Sequence, residues 1–225
     1  MNFIDQIGLD LFFGSQSIVL DHAALIFTNA WSWLPFYLML ALLIIKNNDN
    51  IQLISITFAC CIFGVLLATG LTTVIVKPLV ERVRPCNDLS VRFMAQIAGD
   101  LRNKDYSFFS SHAATTMAVA TFFTLMVRCR ILSTAMYFWA LTNCWTRLYL
   151  GQHYLTDVIV GIIWGVVAGT AAYYVYTKTC RRFCQTAKFI SSQYTRTGFA
   201  WGDIYAAVTA LLVTYIAVLI LPLNV

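Results

Sequence analysis

Three short stretches of the 225-residue chain carry side chains that could do chemistry together. In KPLVERVRP, Lys77 and Arg84 stand seven apart; on a helix, two turns would separate them and both would project from nearly one face, a two-point clamp for an anion. As a basic helix end, the same pair would instead touch lipid headgroups. In YSFFSSHAA, Ser110 and Ser111 precede an apolar helical run and suit an N-cap, where free N–H groups and the positive helix end favour a bound phosphate. His112 then falls in the first turn beside that anion, a place that capping and packing alone would also give it. In TRLYLGQHYLTD, His153 and Asp157 are four apart. One helix face would stack them, the carboxylate holding one ring nitrogen and presenting the other, as for an oriented nucleophile. The alternative is a buried His/Asp contact that only pins two helices. Arg147, six residues before His153, would point elsewhere on an unbroken helix, so a turn near Gly151 is expected to fold its guanidinium back.

These side chains must be positioned by helices in a bilayer. Hydrophobic residues make up 60% of the chain and charged residues 11%, with a mean hydropathy of +0.73, far from soluble averages. Apolar runs at 24–45, 51–76, 112–127, 131–146, 154–177 and 203–222 predict an all-α fold, an integral membrane bundle of six transmembrane helices forming one domain over 1–225. The third and fourth runs are short and are expected to draw in adjoining residues. Residues 1–20 mix bulky apolar side chains with Asp5, Gln6 and Asp10 and predict an N-terminal interfacial helix. No run has the basic start and small-residue cleavage site of a secretory signal, so the first span is kept. Gly161, Gly165 and Gly169, one every four residues along the fifth run, mark a face packed closely on a neighbour. That stripe continues the His153/Asp157 face, which turns the pair toward the bundle interior.

Six spans put both termini and the 77–111 and 147–153 connections on one side, and the 46–50, 128–130 and 178–202 connections on the other. The first side holds Lys77, Arg82, Arg84, Arg92, Arg102, Lys104 and Arg147; the second holds Lys46, Arg128, Arg130, Lys178, Arg181, Arg182, Lys188 and Arg196. Setting aside Lys77, Arg84 and Arg147 as anion-site residues leaves four against eight, and the positive-inside rule places the 178–202 loop in the cytoplasm. Both termini and the site face outward. The seven cysteines read as buried small hydrophobes, and neither they nor the isolated Glu81, Asp88, Asp100 and Asp105 offer metal-ligand spacing, so no metal and no cofactor are expected. Nothing suggests a nucleic-acid partner or an obligatory protein partner.

In order and spacing, Lys77 with Arg84-Pro85, then Ser110 and His112, then Arg147, His153 and Asp157 resemble the three signatures of the type 2 phosphatidic acid phosphatase superfamily, over residues 77–85, 109–112 and 146–157. Three positions depart from the usual pattern: Phe109 stands for proline, Ser111 for glycine and Thr146 for serine. The resemblance implies metal-independent hydrolysis of a lipid phosphate through a phosphohistidine. His153 would be the nucleophile, Asp157 its orienting carboxylate and His112 the acid that later activates water. Lys77, Arg84, Ser110, Ser111 and Arg147 would bind the phosphoryl oxygens.

A site level with the outer headgroups suits a phosphate reached from within the membrane. The resemblance to bacterial members places undecaprenyl diphosphate first as substrate, with lipid A (1- or 4'-phosphate) or phosphatidylglycerol phosphate as alternatives, in the cytoplasmic (inner) membrane with the site facing the periplasm. A lipid-binding protein or transporter could use the same cations without chemistry, but it would have no use for two histidines and an orienting carboxylate. Residues 86–108, with Phe93, Met94 and Ile97, could form a lid or a plain surface connection; the basic 178–202 loop suits anionic inner-leaflet lipids or a regulatory partner.

Overall fold

Capping side chains and backbone breaks set where each helix starts and stops. A computed structural model describes residues 2–15, 17–91, 102–183 (side chains as far as 180) and 192–220. Nine α-helices are described: α1 (Phe3–Phe12), α2 (Ile18–Phe27), α3 (Leu34–Lys46), α4 (Ile51–Gly70), α5 (Lys77–Val80), α6 (Ser111–Val127), α7 (Arg130–Tyr149), α8 (Leu155–Phe183) and α9 (Trp201–Ile220). No strand occurs among the described residues, only an isolated bridge between Tyr194 and Ala200.

Three stretches, Ile51–Asn87 (helical as far as Val80), Leu155–Cys180 and Trp201–Ile220, are long and apolar enough to cross a membrane, and the bent pair Ile18–Phe27 with Ala30–Lys46 makes a fourth if the two form one span. Two more of the expected runs are helical as well: the shorter apolar α6 gains only Ser111 over its expected run, while the 20-residue α7 draws in Arg130 and residues 147–149. Successive long helices alternate in direction. At one end Lys46 of α3 meets Asp203 of α9 (2.5 Å), and Thr197 donates to the last carbonyl of α6, Val127 (2.6 Å). At the other end, Ser110 N–H donates to the Asp157 carbonyl (3.1 Å) and Cys86 N–H to that of Gly151 (2.9 Å).

Three expectations need correction. The run 24–45 is not one helix: α2 stops at Phe27 and the chain bends by 76° before α3. Pro35, at the start of α3, has no N–H to continue a helix, Asn29 caps the intervening 3-10 turn, and Trp33 Nε1 and Ser32 Oγ satisfy the carbonyls freed at Phe27 and Ile26 (2.9 and 2.7 Å). Residues 1–20 are likewise two helices, parted near Gly14, whose φ is +65°. The inner face of α1 buries Asp5, Gly8 and Leu9, with Gly8 lying against Leu155 at the start of α8. Finally, Lys77 and Arg84 do not share a helix. A π-helical turn, Leu71–Val76, precedes Pro78, and α5 ends at Glu81 in the left-handed conformation (φ 48°), leaving Arg84 extended.

The glycine stripe packs as its spacing predicts, α8 lying backbone to backbone on α6. A Cβ on Gly161 would sit 2.7 Å from the Ser110 carbonyl, and on Gly165 and Gly169 it would meet the carbonyls of Ala114 and Ala118. These obstacles are backbone and cannot swing aside. Gly165→Val is therefore expected to destabilise the bundle by about 1–3 kcal/mol; thermal unfolding in detergent should show a clear fall in Tm, and an unchanged Tm would contradict this packing.

Candidate active site

Two helix N-termini and one helix C-terminus converge on the predicted residues. The Ser110 side chain caps α6, accepting from Ala113 N–H (3.4 Å), which leaves Ser111 and His112 in the first turn. Ser110 is fully buried, Ser111 half-buried, and His112 exposed at the rim. The α7 helix ends just beyond Arg147, and the expected turn is present at Gly151, whose φ of +60° and contact with the Phe13 ring leave no place for a side chain. The turn brings the segment from Gln152 to Tyr154 back over Arg147, with His153 N–H donating to the Arg147 carbonyl (3.2 Å).

The His153/Asp157 pair differs from the stacked helical pair expected. His153 lies before α8, and Asp157 is the third helical residue, whose Oδ2 accepts from the Tyr154 N–H (3.0 Å) in the manner of a capping box. Nδ1 of His153 is 3.8 Å from Asp157 Oδ2, too far for a direct hydrogen bond. Ser107 fills the gap: its Oγ donates to Oδ2 (2.5 Å) and lies 3.4 Å from Nδ1. On the other side of the ring, Arg84 Nη1 is 3.3 Å from Nε2. A guanidinium can only donate, so Nε2 meets it as an acceptor, and the ring proton sits on Nδ1, facing the Ser107/Asp157 pair. The tautomer is thus the one a nucleophile requires, with a lone pair on Nε2. Complete burial also pushes His153 down to about 3, so the imidazole stays neutral at neutral pH.

Around that lone pair the site is cationic. Lys77, Arg84 and Arg147 are all nearly buried, and the fields of all three reach His112. Arg84 is held by the carbonyls of Asp105 (Nε, 2.8 Å) and Gln152 (Nη1, 2.9 Å). Arg147 donates from Nη1 to Thr28, while its Nε is buried with no hydrogen-bond partner among the described residues. Buried donors on mutually repelling cations are a cradle for an anion. Among the described residues no three His, Cys, Asp or Glu side chains converge as metal ligands.

All eight predicted site residues therefore gather at one end of the bundle. The sequence reading missed Ser107, Gln152, Arg82 and Asp5. In the sequence Arg82 reads only as a loop charge and Asp5 only as a polar residue of the first helix; a carboxylate among apolar residues is the signal that points to the latter. The proposed lid residues Phe93, Met94 and Ile97 lie outside the described residues, as do Cys184 and Lys188 of the basic loop.

Residues 58–181 match the PAP2 superfamily. The chain is 31% identical over 180 residues to the lipid A 4'-phosphatase of Bacteroides thetaiotaomicron, covering 80% of each chain. It is 24% identical over 184 residues to the lipid A 4'-phosphatase of Porphyromonas gingivalis, covering 78% of this chain and 75% of that one. No solved structure matches.

Two outcomes follow from the electrostatics. Arg147→Met removes a buried cation with an unfilled donor, so it should raise stability in phosphate-free buffer by roughly 1 kcal/mol while abolishing most of the Tm gain produced by adding phosphate or vanadate. Because His153 binds its proton more weakly folded than unfolded, the unfolded state takes up the proton first as pH falls through about 6.5, and stability should drop by up to about 1.4 kcal/mol per pH unit from there toward pH 3. Denaturant titrations at pH 7, 6 and 5 should show a slope of this sign, and His153→Asn should make it shallower.

Proposed function

The chain belongs to the PAP2 superfamily and is a membrane lipid phosphatase; on that premise we propose that it removes a monoester phosphate from lipid A, at the 4'-position, through a phosphohistidine at His153. The reading rests above all on the His153 ring, held with an unprotonated Nε2 against Arg84 and its protonated Nδ1 toward Ser107 and Asp157. Both relatives named above are lipid A 4'-phosphatases, which favours this substrate over undecaprenyl diphosphate, the one the sequence reading put first.

In the proposed reaction Nε2 attacks phosphorus and the bond to the lipid oxygen breaks, with a proton from His112 going to the departing hydroxyl. Asp157, through Ser107, supports the positive charge that forms on the ring. A water then gives a proton to His112 and attacks phosphorus, the N–P bond breaks, and inorganic phosphate leaves. Lys77, Arg84 and Arg147, with the free N–H groups at the start of α6, neutralise the phosphoryl oxygens throughout. These three fixed cations already fill the electrostatic role that a metal takes in other phosphatases. Departure of phosphate restores the repulsion among them, which favours turnover over product retention.

The alternation of α3, α4, α6, α7, α8 and α9 supports six spans, and the four-against-eight balance of basic residues supports a site opening on the periplasmic face of a bacterial inner membrane. The substrate phosphate then arrives with its lipid in the outer leaflet, level with His112 at the rim.

Detergent-purified protein should release inorganic phosphate from lipid A bearing a 4'-phosphate with EDTA present, faster than from the 1-phosphate, undecaprenyl diphosphate, phosphatidylglycerol phosphate or phosphatidic acid. His153→Ala should abolish release, and His112→Ala should slow it on the order of 10²- to 10⁴-fold, as expected for loss of a general acid. Full turnover by His153→Ala would remove the mechanism. Preference for undecaprenyl diphosphate would remove the substrate assignment and leave the mechanism standing.

A further inference from the structure

Asp157 has a second oxygen, and its partner lies outside the catalytic pattern. Arg82 Nη1 donates to Asp157 Oδ1 (2.5 Å), and Arg82 Nη2 donates to Asp5 Oδ2 (2.5 Å). Asp5, buried in α1, uses its other oxygen to accept from the backbone N–H and the hydroxyl of Thr156 (3.0 and 2.7 Å), the residue beside Asp157. Arg82 Nη1 also reaches the Thr156 hydroxyl (2.9 Å), and the guanidinium lies 4.0 Å above the Tyr154 ring. One arginine therefore joins two buried carboxylates into a closed loop beneath the nucleophile. Asp5 precedes residues 58–181, the part of the chain that matches the superfamily.

We propose that Arg82 and Asp5 are positioning residues for the reaction: Arg82 keeps the Asp157 carboxylate ionised and turned toward His153, and Asp5 fixes Arg82. The proposal rests on the phosphohistidine reading above. A wholly buried carboxylate is stable as an anion only beside a cation, and Arg82 is the cation whose hydrogen bonds reach it. The charges balance when it matters: Asp157 and Asp5 against Arg82 leave one net negative charge, and the ring that gains a phosphoryl group supplies the compensating positive charge. The bonded Arg82 nitrogens point to Asp157, Thr156 and Asp5 rather than toward the cationic cradle, so its role passes through Asp157 and not through phosphate. The first helix thereby becomes part of the active site without touching substrate.

A kinetic double-mutant cycle tests this, with lipid A 4'-phosphate as probe and His153→Ala as the control. Asn at position 5 keeps an oxygen for Thr156 but puts an amide where Arg82 needs an acceptor. Arg82→Met should lower kcat on the order of 10- to 100-fold, as expected for loss of a group that orients a catalytic ligand, with KM within about twofold. Arg82→Lys should recover part of kcat, because an ammonium can still hold Asp157. Asp5→Asn should lower kcat less, and adding it to Arg82→Met should cost nothing further, since it acts through the guanidinium. If Arg82→Met does not fold, Arg82→Lys and Asp5→Asn complete the same cycle. Additive losses, or a raised KM at unchanged kcat, would overturn the proposal. If the His153→Ala control retains turnover, the phosphohistidine reading fails instead, so the two failures are told apart.

Discussion

A carboxylate without access to water governs this end of the protein. Asp157 accepts three hydrogen bonds from three directions, Ser107 and the Tyr154 amide on one oxygen and Arg82 on the other, and Ser107 in turn meets the ring of His153. Each partner belongs to a different piece of chain: the segment before α6, the turn before α8, and the stretch after α5. An ionised buried group with too few donors would take up a proton or move, so the requirement to satisfy Asp157 draws these segments together. The imidazole is oriented as a consequence.

The helices make that convergence possible through backbone proximity. Gly161 allows the α6 N-cap to approach the first turn of α8 until Ser110 N–H bonds the Asp157 carbonyl, so the rim histidine and the buried histidine belong to two abutting helix starts. A side chain at that glycine would separate them. Packing and site geometry are therefore one constraint here, carried by the stripe of small residues along α8.

The second cost is borne by the cations. Lys77, Arg84 and Arg147 repel one another in a place nearly stripped of water, and backbone carbonyls, Thr28 and the exposed carboxylate of Asp105 satisfy only part of their donors. Such a cluster is least favourable when it holds no anion and most favourable when it holds a phosphoryl group with charge spread over three oxygens, as in the transition state. The bundle stores this strain against the stability of its aromatic interior, where Trp33, Phe36 and Trp139 are fully buried.

By itself the sequence determined the material and the reagents. Composition required helices in a bilayer, the four-residue glycine period fixed which face of α8 packs, and residue type with order along the chain singled out His112, His153, Asp157 and the three cations as candidates for one site. Tertiary structure alone decided how they meet. The seven-residue interval from Lys77 to Arg84 suggested one helix, but Pro78 and the left-handed Glu81 break it, and Arg84 reaches Nε2 from an extended segment. The four-residue interval from His153 to Asp157 suggested direct contact, but the helix begins between them and Ser107 comes between the side chains. Asp5 and Arg82 could not be paired by any periodic rule, since 77 residues separate them. Their partnership follows from the demand that buried charges find one another, and that demand is met only after the chain has folded.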